Sequence, residues 1–224
     1  MAGQQTTKGT HRRSVPRLVK IIRQFNCAYP DAKLDLDFST PLELLISLIL
    51  AAQSREDLVN QVTPGLFRKF RTVEDYAGAS LPGLENKTRR VNFRRIKTRR
   101  IKDCCREIVK RHRGRIPQTI NELTALPGVG RKTANILLSN AFGRQAIGVD
   151  THVMRLSQRL GFTRNTNPDE IEFDLIKIVP EEHRIRFCHL LQYHGQRVCF
   201  ARKPLCPECT ISPLCPFPEK MARS

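Results

Sequence analysis

The sequence predicts an all-α protein with a packed core, and three observations lead to this prediction. Polar residues that cap helices precede apolar segments at several points along the chain. Strict alternation of apolar and polar residues, the pattern of a half-buried strand, is nearly absent. Hydrophobic residues make up 40% of the 224 residues, which is enough for a packed core.

The first 16 residues contain no acidic residue and no long apolar segment, and we expect them to form a flexible basic arm. This arm lacks the apolar core of a secretory signal, although a mitochondrial targeting segment is an alternative. No run of 18 apolar residues occurs anywhere, so the sequence predicts no membrane span.

Thr40, Pro41 and Glu43 form the pattern of a capping box at a helix start. The segment LELLISLILAAQ that follows is apolar on almost every face, which predicts a fully buried central helix. Ser54 is positioned to cap the next helix, which carries acidic residues in its first turn.

A later helix is predicted over about residues 97–112, ending at Gly114. The residues expected to face inward are Ile101, Cys104, Cys105, Ile108 and Val109. Further helix starts are predicted at Thr119, which has Glu122 three residues later, and at Asn167, which is followed by proline.

The net charge of +18 is concentrated between residues 87 and 115, where 14 Lys or Arg residues stand against Asp103 and Glu107. A solvated helix surface is one interpretation, but such a surface would carry acidic residues as well. We favour a surface that faces phosphates, because neutralising them releases condensed counterions. An anionic membrane surface is the competing partner. Aromatic residues make up only 6%, which argues against a stacking platform for single strands.

The segment LPGVGRKTA (126–134) places Gly128 and Gly130 just before a helix predicted to begin near Arg131. It does not have the spacing of a phosphate-binding P-loop. The glycines allow a tight turn between two helices, and the first N–H groups of the second helix can hold a phosphate. Such a hairpin would bind a DNA backbone without reading sequence. An ordinary helix corner is the alternative.

Lys132 can serve in this hairpin either as a phosphate contact or as a nucleophile. A nucleophilic amine must be neutral, and at the ordinary lysine pKa near 10.4 only about one in a few thousand is neutral at pH 7. Burial and the positive end of a helix lower a lysine pKa, whereas a nearby carboxylate or phosphate raises it. Both roles remain open on these grounds.

Asp150 precedes a helix predicted over residues 151–160 and is expected to be its N-cap. A capping carboxylate can also face a cleft. Together, Lys132 and Asp150 would supply an amine nucleophile and an anion that activates the amine or stabilises a positively charged sugar.

Four cysteines follow the spacing C-x6-C-x2-C-x5-C near the end of the sequence, at Cys199, Cys206, Cys209 and Cys215. Four thiolates this close together predict one metal centre, either zinc or a [4Fe–4S] cluster. Disulfides are disfavoured in a chain without an export signal. The other four cysteines lack ligand spacing and are predicted to be small core residues: Cys27, Cys104, Cys105 and Cys188.

The chain resembles endonuclease III, the iron–sulfur branch of the helix-hairpin-helix (HhH-GPD) DNA glycosylases. The resemblance covers about residues 17–217 and lies in TPLELLISLILAAQS (40–54), LPGVGRKTANILL (126–138), VDTH (149–152) and the cysteine spacing with ARKPLC (201–206). It implies a six-helix barrel of residues 34–144. It also implies a second domain, made of 17–33 and 145–224, which holds a [4Fe–4S] cluster, with the active cleft between the two domains.

The resemblance also implies a mechanism. Lys132 matches the family nucleophile, which attacks C1′ of the sugar, expels the damaged base and forms an imine. Asp150 matches its electrostatic or proton-handling partner. β-Elimination then nicks the strand. The implied function is a bifunctional DNA glycosylase and AP lyase that removes oxidised pyrimidines in base excision repair.

Gln53 matches the residue that enters the duplex where the base is extruded, and Phe93 matches an apolar wedge. The segment NFRRIKT (92–98) departs from the GLYNSKA that relatives often carry, and it places Arg94 and Arg95 near the wedge. The remaining predicted DNA contacts are Gly128, Val129, Gly130, Arg131, Thr133, Arg202 and Lys203.

Two other functions compete with this one. A mismatch or alkylation glycosylase of the same fold is disfavoured, because related monofunctional branches lack a lysine where this chain has Lys132. A non-catalytic iron–sulfur DNA-binding protein or redox sensor is disfavoured by the presence of both Lys132 and Asp150. The expected partner is double-stranded DNA with a damaged or abasic nucleotide, bound by a monomer. A bacterial source would place the protein in the cytoplasm, with the nucleus or mitochondrion as alternatives.

Overall fold

The structure is a computed structural model that describes the backbone of residues 7–217 and the side chains of residues 15–217. Across the described backbone the secondary structure is entirely helical, with short 3₁₀ turns between and after the helices, so the all-α prediction is confirmed. No helix in this range is long and apolar enough to cross a membrane. The α-helices are α1 (Thr7–Ala28), α2 (Pro41–Ala51), α3 (Glu56–Phe67), α4 (Val73–Gly78), α5 (Leu81–Lys87), α6 (Arg94–His112), α7 (Ile120–Thr124), α8 (Arg131–Phe142), α9 (Thr151–Arg159), α10 (Pro168–Ile178) and α11 (Arg184–Arg197).

The chain divides into two compact units. Leu34–Arg144 forms one of them and contains α2 to α8; we call it the hairpin unit. The described residues before and after it form the other, which contains α1 and α9 to α11; we call it the cysteine unit.

Helix α2 is the centre of the hairpin unit, as its apolar sequence predicts. Eight of its eleven residues are buried, and it packs against α3, α6 and α8. Its N-cap Thr40 accepts a hydrogen bond from the Glu43 N–H at 3.2 Å. The Glu43 carboxylate accepts from the Ser39 N–H at 2.6 Å, one residue earlier than in a capping box.

Helix α6 begins at Arg94, three residues before the predicted start. Ile101, Cys104, Cys105 and Ile108 are fully buried, because residues at spacings of three and four share one helix face. Val109 was expected beside them and is 36% exposed, since it lies one position past that face.

Ser54 does not cap α3, contrary to the sequence prediction. The N-cap is Arg55, which makes no side-chain capping hydrogen bond. The Ser54 hydroxyl instead accepts a hydrogen bond from the buried Lys97 ammonium at 2.8 Å. A partner 43 residues away in sequence therefore determines what this serine does.

In the cysteine unit, α1 packs on α10 and α11 through Leu18, Ile21, Ile22 and Phe25. Cys27 lies off that apolar face and is exposed, so its assignment to the core was wrong. Helix α1 begins at Thr7, so part of the segment expected to be a flexible arm is helical. Residues 1–6 of that segment lie outside the described residues.

Candidate functional site

The turn between α7 and α8 is the glycine hairpin that the sequence indicates. Gly128 has φ +81°, and a Cβ at this position would lie 3.0 Å from Cβ of Arg100 on α6. A side chain is therefore excluded both by backbone conformation and by space. Val129 is buried and its N–H donates to the Leu126 carbonyl at 3.1 Å, so this residue supports the turn from inside. Arg100 beside the hairpin was not singled out from the sequence.

The N-terminus of α8 carries no side-chain cap. Its N-cap is Gly130 in an extended conformation, and helix hydrogen bonding begins with the Ala134 N–H, which donates to the Gly130 carbonyl at 2.9 Å. Such an end exposes backbone donors and the positive end of the helix dipole, which together favour an anion. Lys132 is exposed here, and Arg131 and Thr133 beside it are half-buried.

Two exposed turns of the hairpin unit lie side by side. Gln53 and Phe93 both have φ +55°, a left-handed conformation that is uncommon for residues with a side chain. The Asn92 amide donates to the Gln53 carbonyl at 3.4 Å. Phe93 is 61% exposed and Ile96 is 55% exposed, so the two side chains present apolar surface to solvent. The predicted duplex-entering residues are thus neighbours.

Arg94 and Arg95, which follow Phe93, are both exposed, as a role in phosphate binding requires. Arg95 lies 3.8 Å from the carboxylate of Glu85, and with most of its side chain in solvent this ion pair is weak. The pair therefore leaves the arginine able to turn toward an external anion.

Lys97 is a buried cation that the sequence did not distinguish from the other basic residues of its helix. It is 3% exposed, and its ammonium donates to the Leu50 carbonyl at 2.7 Å and to the Ser54 hydroxyl at 2.8 Å. Burial disfavours the charged form and lowers the Lys97 pKa to about 8.

Asp150 is the N-cap of α9 in the cysteine unit, as predicted. Its Oδ1 atom accepts hydrogen bonds from the His152 N–H at 2.9 Å and the Val153 N–H at 2.7 Å. Its Oδ2 atom lies 3.5 Å from Nδ1 of His152. The carboxylate is therefore held in one orientation by the helix that it caps.

Helix α9 is also tied to the segment that carries the cysteines. Arg155 donates to the Gly195 carbonyl at 2.9 Å and to the Cys199 carbonyl at 3.2 Å. Arg159, one turn later, donates to Sγ of Cys199 at 3.1 Å and to the Phe200 carbonyl at 2.7 Å. Both arginines lie on one face of α9, so the helix that carries Asp150 rests on the cysteine segment.

Cys199, Cys206, Cys209 and Cys215 line one cavity together with apolar side chains. All four are half-buried, and none is in a disulfide. Among the described residues, no group of three or more His, Cys, Asp or Glu is arranged to hold a single metal ion. Four thiols that line one cavity are a donor set that suits either zinc or a [4Fe–4S] cluster.

His194 is hydrogen-bonded to one of these cysteines. Its Nε2 atom lies 3.4 Å from Sγ of Cys209, and its Nδ1 atom lies 2.8 Å from the Tyr29 hydroxyl. Burial lowers the His194 pKa to about 4, so the ring is neutral. The Tyr29 O–H can then donate to Nδ1, which leaves the proton on Nε2 to donate to sulfur.

Arg202 and Lys203, the predicted DNA contacts of this segment, are exposed, and Lys203 has φ +53°. The two candidate catalytic residues belong to different units: Lys132 to the hairpin unit and Asp150 to the cysteine unit.

Residues 46–181 match the HhH-GPD superfamily of base excision DNA repair proteins. Endonuclease III of Synechocystis sp. is 44% identical over 201 residues, which are 89% of this chain and 92% of the relative. Endonuclease III of Escherichia coli K12 is 38% identical over 192 residues, which are 86% and 91% of the two chains.

Solved structures agree with the sequence relatives. A trapped endonuclease III–DNA covalent intermediate has a TM-score of 0.87 at 40% identity, covering 93% of this chain and 98% of that chain. A thermostable thymine-DNA glycosylase has a TM-score of 0.82 at 22% identity over 92% of this chain and 98% of that one, which shows a shared fold.

Proposed function

The chain belongs to the HhH-GPD superfamily and within it to the endonuclease III family, and we propose that it is a bifunctional DNA glycosylase and AP lyase of base excision repair. Its substrate is duplex DNA that contains an oxidised pyrimidine or an abasic nucleotide. The relatives and the endonuclease III–DNA structures match most of the chain, so a mismatch glycosylase and a non-catalytic binding protein are not favoured.

One observation carries the proposal: an exposed lysine, Lys132, stands in the first turn of a helix whose N-terminus has no side-chain cap. A phosphate bound at that helix end would bring the neighbouring sugar to the amine. The neutral amine attacks C1′, the bond from C1′ to the base breaks, and the base leaves with its bonding electrons. The nitrogen then loses its protons as the C1′–O4′ bond of the sugar ring opens, and the departing base and O4′ each gain one. The resulting imine acidifies C2′, and loss of a C2′ proton expels the 3′ phosphate.

Asp150 serves the step in which the base leaves. Positive charge develops on the sugar as the glycosidic bond breaks, and a fixed carboxylate stabilises that charge without having to reorient. Its two backbone hydrogen bonds support this role, because they hold the carboxylate in place before the substrate arrives.

The protein holds the duplex through the phosphates of the DNA backbone and opens it with two of its own side chains. The hairpin N–H groups, with Arg100 beside them, bind phosphates independently of sequence. Gln53 and Phe93 enter the duplex where the nucleotide is extruded, a step that costs a few kcal/mol of stacking and pairing. Further positive charge at the periphery of the DNA contact comes from Arg94, Arg95, Arg202 and Lys203.

We further propose that Cys199, Cys206, Cys209 and Cys215 hold a [4Fe–4S] cluster, which fixes the segment of Arg202 and Lys203 when it is bound. Arg159 donates a hydrogen bond to Sγ of Cys199, and Nε2 of His194 lies within hydrogen-bonding distance of Sγ of Cys209, as expected around cluster thiolates. Purified protein should be brown and contain iron and sulfide in equal amounts. Colourless protein with one zinc per chain would exclude the cluster. The bacterial relatives support a cytoplasmic location.

Borohydride trapping tests the activity, because the reductant converts the imine into a stable amine bond between protein and DNA. The parent protein should become covalently attached to an abasic duplex. Lys132→Gln should abolish trapping and nicking while its duplex affinity stays within a few-fold, because bond formation is absent from the ground state. Lys110→Gln, at another exposed lysine, is the control and should trap like the parent.

The competing role of Lys132 gives a different result. A lysine that only holds a phosphate would lose about 1–2 kcal/mol of binding on change to glutamine, as expected for one charge-assisted hydrogen bond. Nicking would then survive at saturating protein. Nicking of the abasic duplex by Lys132→Gln at near the parent rate would refute the proposed mechanism.

A further inference from the structure

Lys97 has no acidic partner to account for its burial. Its side chain is 3% exposed, and its ammonium contacts two neutral oxygens, from Leu50 and Ser54. It forms no ion pair with any side chain that the structure describes. Burying an ammonium against neutral acceptors is unfavourable for folding, and a hydrophobic residue of similar length would fill the same space. The contacts therefore suggest a purpose other than stability.

The two acceptors lie on either side of Gln53. Leu50 is three residues before it, near the end of α2, and Ser54 is the residue after it. The same turn is closed by the Ser54 N–H, which donates to the Ala51 carbonyl at 3.0 Å. Lys97 thus holds both ends of a turn whose central residue has the uncommon φ of +55°.

Lys97 is also joined to the second exposed turn. Its backbone N–H donates to the Phe93 carbonyl at 3.1 Å, in the first turn of α6. Asn92, next to Phe93, donates to the Gln53 carbonyl. Lys97 therefore contacts the Gln53 turn with its side chain and the Phe93 turn with its backbone N–H.

We propose that Lys97 is a positioning residue that holds Gln53 and Phe93 as a single preformed element for opening the duplex. The inference rests on the proposed function, in which both side chains occupy the space that the extruded nucleotide vacates. A turn that is ordered before binding spends no binding energy on its own ordering, so more remains for extruding the nucleotide. Without Lys97, each turn would have to be ordered by the DNA.

The test is Lys97→Met, which keeps the length of the side chain and removes its donors. Lys102→Met is the matched control, because Lys102 lies on the same helix and donates to the Ala79 carbonyl at 2.6 Å, away from both turns. Two substrates are compared: a thymine-glycol duplex and a single-stranded abasic oligonucleotide, which has no base pair to open. A duplex with 2-aminopurine opposite an abasic-site analogue reports unstacking by fluorescence.

At saturating protein, where the loss of one phosphate contact has no effect, Lys97→Met should slow excision from the duplex about ten-fold and reduce the 2-aminopurine signal, whereas Lys102→Met should leave both near the parent values. Nicking of the single-stranded abasic oligonucleotide should be unchanged, because Lys132 is intact. Absence of this nicking in the parent would instead reject the proposed function. In the Gln53→Ala background, Lys97→Met should cause a smaller further loss than in the parent, because the part of its effect that passes through Gln53 is already gone.

An equal loss in the parent and Gln53→Ala backgrounds, or an equal loss on the single strand, would overturn the proposal. Ser54→Ala removes only one acceptor and keeps the proposal testable if Lys97→Met does not fold. It should reduce the 2-aminopurine signal in the same direction by a smaller factor. An unchanged signal in Ser54→Ala, with Lys97→Met unfolded, would also count against Lys97 acting through this turn.

Discussion

Helices α8 and α9 each have a candidate catalytic residue at the N-terminal end, Lys132 in the first turn of α8 and Asp150 as the N-cap of α9, but these ends are built in different ways. Helix α8 starts after Gly130 and has no side-chain cap. Helix α9 starts after Asp150, whose carboxylate accepts two of its first N–H groups. Both ends carry the positive partial charge of a helix dipole. The first is left for an external anion, and the second is neutralised by an internal one.

The contacts that hold these two helix ends in place also differ. The hairpin before α8 depends on backbone shape, since Gly128 allows close approach to Arg100. Helix α9 depends on side chains, since Arg155 and Arg159 tie it to the cysteine segment. We propose that the N-terminus of α8 receives a phosphate and that the N-terminus of α9 holds a carboxylate in a fixed orientation. Four predictions test this difference, in order of expected effect.

Asp150→Asn should have the largest effect, because it removes the charge and keeps the cap. Excision of thymine glycol should slow about 10²–10³-fold, as expected when a preorganised charge is removed. Nicking of a preformed abasic site should suffer less, because the base has already left. Both rates are measured side by side under single-turnover conditions. Equal losses on the two substrates would mean that Asp150 does not act on base departure.

Gly130→Asp would give α8 the kind of cap that α9 has. The position has an extended conformation and open space for a Cβ, so the change should not strain the fold. The new carboxylate would compete with DNA phosphate for the same donors, and duplex affinity should fall about 10–100-fold, as expected for losing one or two charge-assisted hydrogen bonds. Gly130→Asn, a neutral cap, is the control. If Gly130→Asn loses as much duplex affinity as Gly130→Asp, the negative charge is not the cause of the loss.

Gly195→Ala tests the support of α9. A Cβ there would lie 2.8 Å from Cδ2 of His152 and 3.0 Å from a terminal nitrogen of Arg155. Overpacking of this kind should lower the free energy of unfolding by about 1–3 kcal/mol, measured by denaturant titration. Gly65→Ala is the opposite case: it lies inside α3 with open space around it and should stabilise by about 0.5–1 kcal/mol. If both variants are destabilised, the loss of stability at Gly195 comes from the change in backbone freedom and not from contact with His152 and Arg155.

The salt dependence of duplex binding gives the smallest effect and compares the two units. Contacts with roughly five to eight phosphates predict a log–log slope of about −4.5 to −7. Arg94→Gln with Arg95→Gln should flatten the slope by about 2, and Arg202→Gln with Lys203→Gln should do the same if both units contact phosphates. A slope shallower than about −2 in the parent protein would mean that the basic segment 87–115 faces away from DNA.

Local features of the site could be predicted from sequence because their partners are close in the chain. The Asp150 cap involves residues two and three positions later, and the start of α8 follows from adjacent glycines. The burial of α2 follows from a segment that is apolar on nearly every face. The four cysteines are also close together in the chain, so their spacing indicated that they share one metal centre.

The errors and omissions arose where the partner is distant. Ser54 was expected to cap α3, but its hydroxyl binds Lys97, 43 residues away. Lys97 itself is one of 14 basic residues between positions 87 and 115, and nothing in the sequence marks it as the buried one. Arg159 and His194 likewise reach cysteines 40 and 15 residues away.

The sequence by itself determined the all-α class and the family, and it indicated the candidate site residues, because helix caps, glycine turns and ligand spacing are short-range patterns. Tertiary structure alone decided which basic residue is buried, which turns lie together, and which donors reach the cysteine sulfurs. These outcomes depend on how helices pack, and packing brings together side chains that have no fixed relation along the chain.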